Sequence, residues 1–167
     1  MNALSRTLFT MDLQLTSAII LTLLCVTTIK AQVQCPTKWN QYATDQRRTT
    51  CLWLSQQEKA SWINAHAFCH LMGSSLVDVS DFYMNVRLAN LITQFGVTGK
   101  YWINANDVED DGTFKSTVSG KGLTYNNFIG GQTILDPAKN CVSIDQKGLW
   151  TIDACKTENH FICQKKP

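Results

Sequence analysis

The sequence predicts an α+β domain: two helices packed on short antiparallel sheets, with a long irregular loop between the later strands. Three observations predict it. Apolar residues recur at helical spacing twice, within residues 62–72 and 82–92. Short β-branched or aromatic runs then bracket turn residues, most clearly Cys141-Val142-Ser143-Ile144 and Leu149-Trp150 around Gln146-Lys147-Gly148. No internal repeat or low-complexity run interrupts them, and helices early with strands late argue for α+β rather than alternating βα units.

The first thirty or so residues carry the marks of a targeting segment. Arg6 precedes an apolar run from Leu15 to Val26, and small residues lead to a cleavage point at about Ala31. Residues 1–31 are therefore expected to be a signal peptide and residues 32–167 one domain. The rival reading is an uncleaved anchor. Leu13 to Ile29 is seventeen residues and includes Gln14, the short limit for spanning a bilayer, and no stalk precedes Cys35. Secretion is the expectation.

Cleavage there removes Arg6, Lys30 and Asp12, so 15 basic and 13 acidic residues become 13 and 12. A net charge of +1 gives no electrostatic case for nucleic acid or an anionic membrane. Cleavage also removes Cys25, one of seven cysteines, leaving Cys35, Cys51, Cys69, Cys141, Cys155 and Cys163. An even number behind a signal peptide implies an oxidising compartment and three disulfides, in any of about 15 connectivities. No Asn-x-Ser/Thr sequon occurs, so N-glycosylation is not expected.

The elements follow in order. Cys35-Pro36-x-x-Trp39 and Cys51-Leu52-Trp53-Leu54 read as two strands of a hairpin. Ser61 is a helix N-cap, with Trp62, Ala65, Cys69 and Met72 on one face and Gly73 as the stop. Val77 and Val79 give a brief extended piece. Ser80 caps a second helix with Phe82, Val86, Ala89 and Ile92 as its apolar stripe, ended by Gly96. Tyr101-Trp102-Ile103 is a core strand. Residues 107–137 hold five glycines and no regular period, a length of irregular chain that belongs in a compact domain only as a functional loop.

The pattern Cys141-Val-x-Ile, Gly148-x-Trp150, Cys155 and Phe161-Ile162-Cys163 resembles the C-terminal half of a C-type lectin-like domain. The opening Cys35-Pro36-x-x-Trp39 is similar to that of the family's long form, so the resemblance covers residues 35–163. It implies the bridges Cys35–Cys51, Cys69–Cys163 and Cys141–Cys155. In the chain-entropy model the second is worth roughly 4–5 kcal/mol and the third about 3 kcal/mol. It also implies that residues 107–137 are the family's long loop, which carries the ligand site. Asn104 stands where the family's Trp-Ile-Gly motif has its glycine.

Sugar-binding members of that family hold calcium with a Glu-Pro-Asn or Gln-Pro-Asp triplet, an acid two residues before the third-from-last cysteine, and a Trp-Asn-Asp triplet. This sequence has Gln132-Thr133-Ile134, Lys139 and Trp150-Thr151-Ile152 at those places. Thr133 replaces a proline whose cis bond shapes the loop, and a non-proline cis bond costs about 3 kcal/mol. Calcium takes six to eight oxygens, several of them carboxylate, so no calcium cofactor is expected. Weak auxiliary candidates are Asp107, Asp111 and Asp136, with Asn140 where a further acid belongs; a solvated acidic turn is the alternative.

The remaining chemistry is sparse. His66 and His70 have the i, i+4 spacing of a two-histidine metal site, but Ala67 stands where a metalloprotease carries glutamate. No Ser/His/Asp or Cys/His set emerges, so catalysis is not expected. Tyr125, Phe128 and Trp53 are aromatics able to stack on a sugar or anchor a protein; packing at the base of the long loop is the alternative role of Tyr125 and Phe128, while Trp53, alternating with Leu52 and Leu54, is read as facing out. The resemblance thus implies a secreted, non-catalytic recognition module. Its candidate ligand residues are Phe128, Gln132, Thr133, Asn140 and Thr151, and its ligand is either a glycan bound without calcium or an extracellular protein.

Overall fold

The computed structural model describes residues 34–45, 48–95, 98–131 and 136–167. The expected signal peptide, Gly96, Gln132 and Thr133 lie outside them. Among the described residues no helix is long and apolar enough to cross a membrane.

Strands β1 (Asn40–Asp45) and β2 (Arg48–Leu54) form the opening hairpin, followed by α1 (Trp62–Leu71), β3 (Ser75–Leu76) and α2 (Phe82–Phe95). Strands β4 (Tyr101–Asn106), β5 (Cys141–Ile144), β6 (Trp150–Asp153) and β7 (His160–Lys165) complete the domain. The sheet order is β1-β2-β7-β4-β5-β6, with β3 also pairing β7. The closing strand β7 is therefore central, antiparallel to β2 and parallel to β4. The first expected strand begins five residues later than the Cys35 motif, because Pro36 to Trp39 form a turn closed by Trp39 N–H donating to Pro36 O at 3.0 Å.

Two-residue periodicity explains why Tyr101 to Ile103 of β4 and Phe161 to Cys163 of β7 are apolar without a break. On β4, Tyr101 and Ile103 join one core with Leu88, Leu91, Ile92, Val142, Ile144 and Trp150, while Trp102 joins another with Trp62, Ala65, Cys69 and Phe161. On β7, Ile162 joins the first core and Phe161 and Cys163 the second. Alternate side chains point to opposite faces, so α2 covers one face of these strands and α1 the other.

The first helix follows its sequence signals. Ser61 Oγ accepts from Asn64 N–H at 3.4 Å, the buried face is Trp62, Ala65 and Cys69, and Gly73 takes φ +62° just past the end. The second helix departs from them. Its cap is Asp81, whose Oδ1 accepts from Met84 N–H at 2.9 Å, and Ser80 instead donates to Asp81 Oδ2. The stripe differs as well: Met84, Leu88, Leu91 and Ile92 are buried, whereas Phe82 is 59% exposed and Val86 is exposed too. Three bridges form among the described residues, Cys35–Cys51, Cys69–Cys163 and Cys141–Cys155. They match the pairing implied by the resemblance.

Candidate functional site

The β5–β6 hairpin builds the base of the site. Its register runs from Cys141↔Asp153 to Ile144↔Trp150, so the Cys141–Cys155 bridge ties the open end. Asp145 shapes the turn, its Oδ1 accepting from Lys147 and Leu149 N–H at 2.8 and 2.9 Å. Gly148 sits there at φ +76°, and an added Cβ would lie 2.7 Å from Asn85 Nδ2. Only glycine fits. That closeness serves a purpose: Asn85 Nδ2 donates to Gly148 O at 3.0 Å while its Oδ1 accepts from Trp150 Nε1 at 2.8 Å. One buried asparagine thus fixes both the hairpin turn and the buried indole.

The long loop then packs on that indole. Phe128 and Tyr125 meet Trp150 edge-on at 5.5 and 5.8 Å, and Phe114 leans on Phe128 at 5.3 Å. Burial, with the nearby Asp81 carboxylate, raises the Tyr125 phenol. A short 3-10 turn, Ile129–Gly131, follows. Together these leave a cleft of about 270 Å³ lined by Phe128, Ile129, Asp136, Lys139, Trp150, Thr151 and Ile152. Its walls are apolar except for Thr151 and the Lys139–Asp136 ion pair, 3.1 Å apart. The Ala138 N–H, together with that pair, holds the Asp136 carboxyl below its ordinary value.

The sequence candidates separate into groups. Phe128 and Thr151 share the cleft with Asp136. Asn140 does not: its Nδ2 donates to Asp111 Oδ1 at 3.3 Å, and its carbonyl accepts from Asp107 N–H at 3.0 Å. Asp107 is only 4% exposed; its Oδ2 accepts from Gly112 N–H at 2.8 Å and its Oδ1 has no partner. Asp107 and Asp111 thus stand with Asn140, while Asp136 is engaged by Lys139. Among the described residues no group of three or more His, Cys, Asp or Glu side chains is placed to hold a metal ion. His66 stacks on Trp62 at 5.4 Å and His70 is exposed. Trp53 is half-buried, stacked on Phe68 at 5.5 Å.

A polar anchor at Asn104 escaped sequence reasoning. Its Nδ2 donates to Asp78 Oδ1 at 3.0 Å and Ser116 Oγ at 3.2 Å. Its Oδ1 accepts from Thr117 N–H at 3.2 Å and Thr117 Oγ1 at 2.6 Å. The residue that departs from the Trp-Ile-Gly motif therefore fastens the long loop to the core strand. Burial raises the Asp78 carboxyl, and the bonds from Ser116 and Asn104 partly offset this.

Comparison with known proteins identifies the scaffold. Residues 58–165 match the family model described as the lectin C-type domain. C-type mannose receptor 2 of Mus musculus is 27% identical over 135 residues, covering 80% of this chain and 9% of the receptor. The chain thus spans about a tenth of that relative's length. The carbohydrate-recognition domain of human scavenger receptor C-type lectin is 26% identical with a TM-score of 0.69, covering 80% of this chain and 100% of that one. A calcium-independent type II antifreeze protein has the same fold at 17% identity, TM-score 0.69, covering 82% and 98%.

Proposed function

The chain belongs to the C-type lectin domain family, and from that premise we propose that it is a secreted, non-catalytic recognition module that binds a glycan without a calcium bridge. The observation that carries this reading is the Lys139–Asp136 pair. An ammonium occupies the place where the sugar-binding members carry a carboxylate, and it engages a neighbouring acid that would otherwise be free for a cation. Ile152 adds no side-chain oxygen, so the donors fall well short of the six to eight oxygens calcium takes. The fold also occurs in a calcium-independent antifreeze protein, so the ion is not a requirement of the scaffold.

Recognition then rests on side chains. Phe128, Trp150 and Ile152 give the cleft its apolar lining, while the Thr151 hydroxyl both donates and accepts. Lys139 only donates and Asp136 only accepts, a complement to sugar hydroxyls that do both. Thr133 and Gln132 remain candidate contributors from the sequence. A protein ligand is the second reading, favoured by Ile129, 53% exposed at the rim. An apolar side chain presented this way suits a protein interface anchor.

The test is binding to an immobilised glycan library by the oxidised domain and by Lys139→Ala and Thr151→Val. The proposal expects binding by the parent that both substitutions weaken. Binding that neither substitution alters would remove the cleft from the account. No glycan binding, together with capture of an extracellular protein that Ile129→Ser abolishes, would establish the second reading. N-terminal sequencing of protein recovered from culture medium tests secretion and the boundary near Ala31.

A further inference from the structure

A groove of about 520 Å³ lies among residues of the N-terminal hairpin and the segment that follows it, lined by Lys38, Trp39, Asn40, Trp53, Leu54, Gln56, Gln57 and Glu58. None of these residues lines the long-loop cleft. The β1–β2 register ends with Asn40 opposite Leu52, and Trp39 and Trp53, the next residue on either side, both line the groove. Both indoles are half-buried. The groove falls within the ~300–1,000 Å³ of ordinary ligand sites, large enough for a short oligosaccharide.

Three features show that the indoles are held in place. The Lys165 ammonium lies 4.2 Å from the Trp39 ring centroid, a cation–π contact that fixes that ring. Trp53 is stacked on Phe68 at 5.5 Å and tilted against Phe161 at 5.8 Å. Before Trp39, Lys38 takes φ +71°, a left-handed backbone that glycine would adopt without the cost of roughly 1–2 kcal/mol a lysine incurs. The Cys35–Cys51 bridge and the Pro36–Trp39 turn hold the segment in that conformation. Both indoles pack one side against the second core and present the rest to the groove, and a strained non-glycine beside such a pair points to function.

We propose that this groove is a second carbohydrate site, taking a neutral oligosaccharide with its ring faces on Trp39 and Trp53. The lining selects that chemistry. Asn40, Gln56 and Gln57 amides donate and accept, Lys38 donates, and Glu58 accepts, which together match hydroxyls that do both. A lipid surface would leave those amides and charges unpaired. A proline-rich peptide also docks on aromatics, but prolines offer no N–H to the Glu58 carboxylate. Pre-fixed rings lose little side-chain freedom on binding, which favours affinity in a shallow groove.

The experiment titrates the oxidised protein with soluble, neutral N-acetylglucosamine, mannose and galactose oligosaccharides, following tryptophan fluorescence and calorimetry. The proteins compared are the parent, Trp39→Ala, the double variant Gln56→Ala/Gln57→Ala and Thr151→Val. The result expected is binding weakened by about tenfold or more in Trp39→Ala, the loss typical of a tryptophan anchor. A smaller loss is expected in the glutamine variant, whose exposed residues leave folding intact; Thr151→Val reports on the long-loop cleft, and the binding component lost in Trp39→Ala should persist in it. Binding unchanged in both groove variants overturns the proposal. So does titration by a proline-rich peptide with no sugar of the panel bound. Loss in Thr151→Val alone would assign the sugar to the long-loop cleft, so the two sites succeed or fail separately.

Discussion

Replacing Asn104 with glycine, the residue of the family's own motif, should destabilise this protein. Asn104 is 2% exposed and makes four hydrogen bonds: two to Thr117, one to Ser116 and one to the Asp78 carboxylate. A neutral bond contributes about 1 kcal/mol net and one to a charged group about 1.5–3 kcal/mol. Water reaches Thr117 and part of Asp78, which lowers the sum, while glycine inside a strand adds ~0.5–1 kcal/mol of cost. The loss expected is about 3–4 kcal/mol, a large share of the 5–15 kcal/mol that typically separates folded from unfolded states. Urea unfolding with the disulfides intact measures it. The loss should also depend on pH. Burial already raises the folded Asp78 carboxyl above its ordinary 3.8, and removing a donor raises it further. The folded state then holds that proton more tightly than the unfolded state, so stability declines as pH rises through the raised value. The deficit should be full at neutral pH and shrink as pH falls through the raised value of the folded carboxyl. A loss below ~1 kcal/mol, or one that grows in acid, would refute the reasoning.

His160 gives a second pH effect. Burial, with nearby Lys59, lowers its imidazole below 6.5 against the opposing pull of Glu58, and its ring stacks on Tyr101 at 5.1 Å. The unfolded state takes up the proton first, so stability present at pH 7 should fall as pH drops through about 6.5. His160→Phe keeps the stacking and should flatten that limb of a pH-dependent melt. The Tyr101 phenol, pushed up by burial to about 12, should stay protonated in absorbance titrations until the fold is lost. Replacing Cys69 and Cys163 with alanine opens a loop of 94 residues and should cost roughly 4–5 kcal/mol, read by the same urea titration. Gly148→Ala should displace Asn85 and loosen the Trp150 indole, visible as a shift in tryptophan emission.

How much was legible in the sequence depended on the range of the signals. The β5–β6 hairpin and α1 declared themselves because turn residues, caps and apolar spacing are local. Packing of Phe128 and Tyr125 at the base of the loop was foreseen as the alternative to ligand contact, and both rings do rest on Trp150. The cap of α2 was misplaced by one residue because Ser80 and Asp81 are both good caps. The buried face was misread separately, because Phe82 and Val86 offer an apolar spacing that competes with Met84, Leu88 and Leu91, and only packing on the core decides between them. Asn104 was seen as a departure from a motif, but its role needed Asp78, Ser116 and Thr117 brought together by folding. Trp39 and Trp53 were likewise noticed singly; only folding brings them to one groove. Asn140 looked like a partner of Thr151, whereas its side chain turns to Asp111.

The most direct test of recognition without calcium is glycan binding by the oxidised domain in buffered calcium and again after EDTA. The account predicts the same glycans and the same affinities in both, because Lys139, Asp136 and Thr151 make the contacts themselves. Binding that disappears with EDTA and returns with added calcium would contradict it, and would turn attention to Asp107, Asp111 and Asp136.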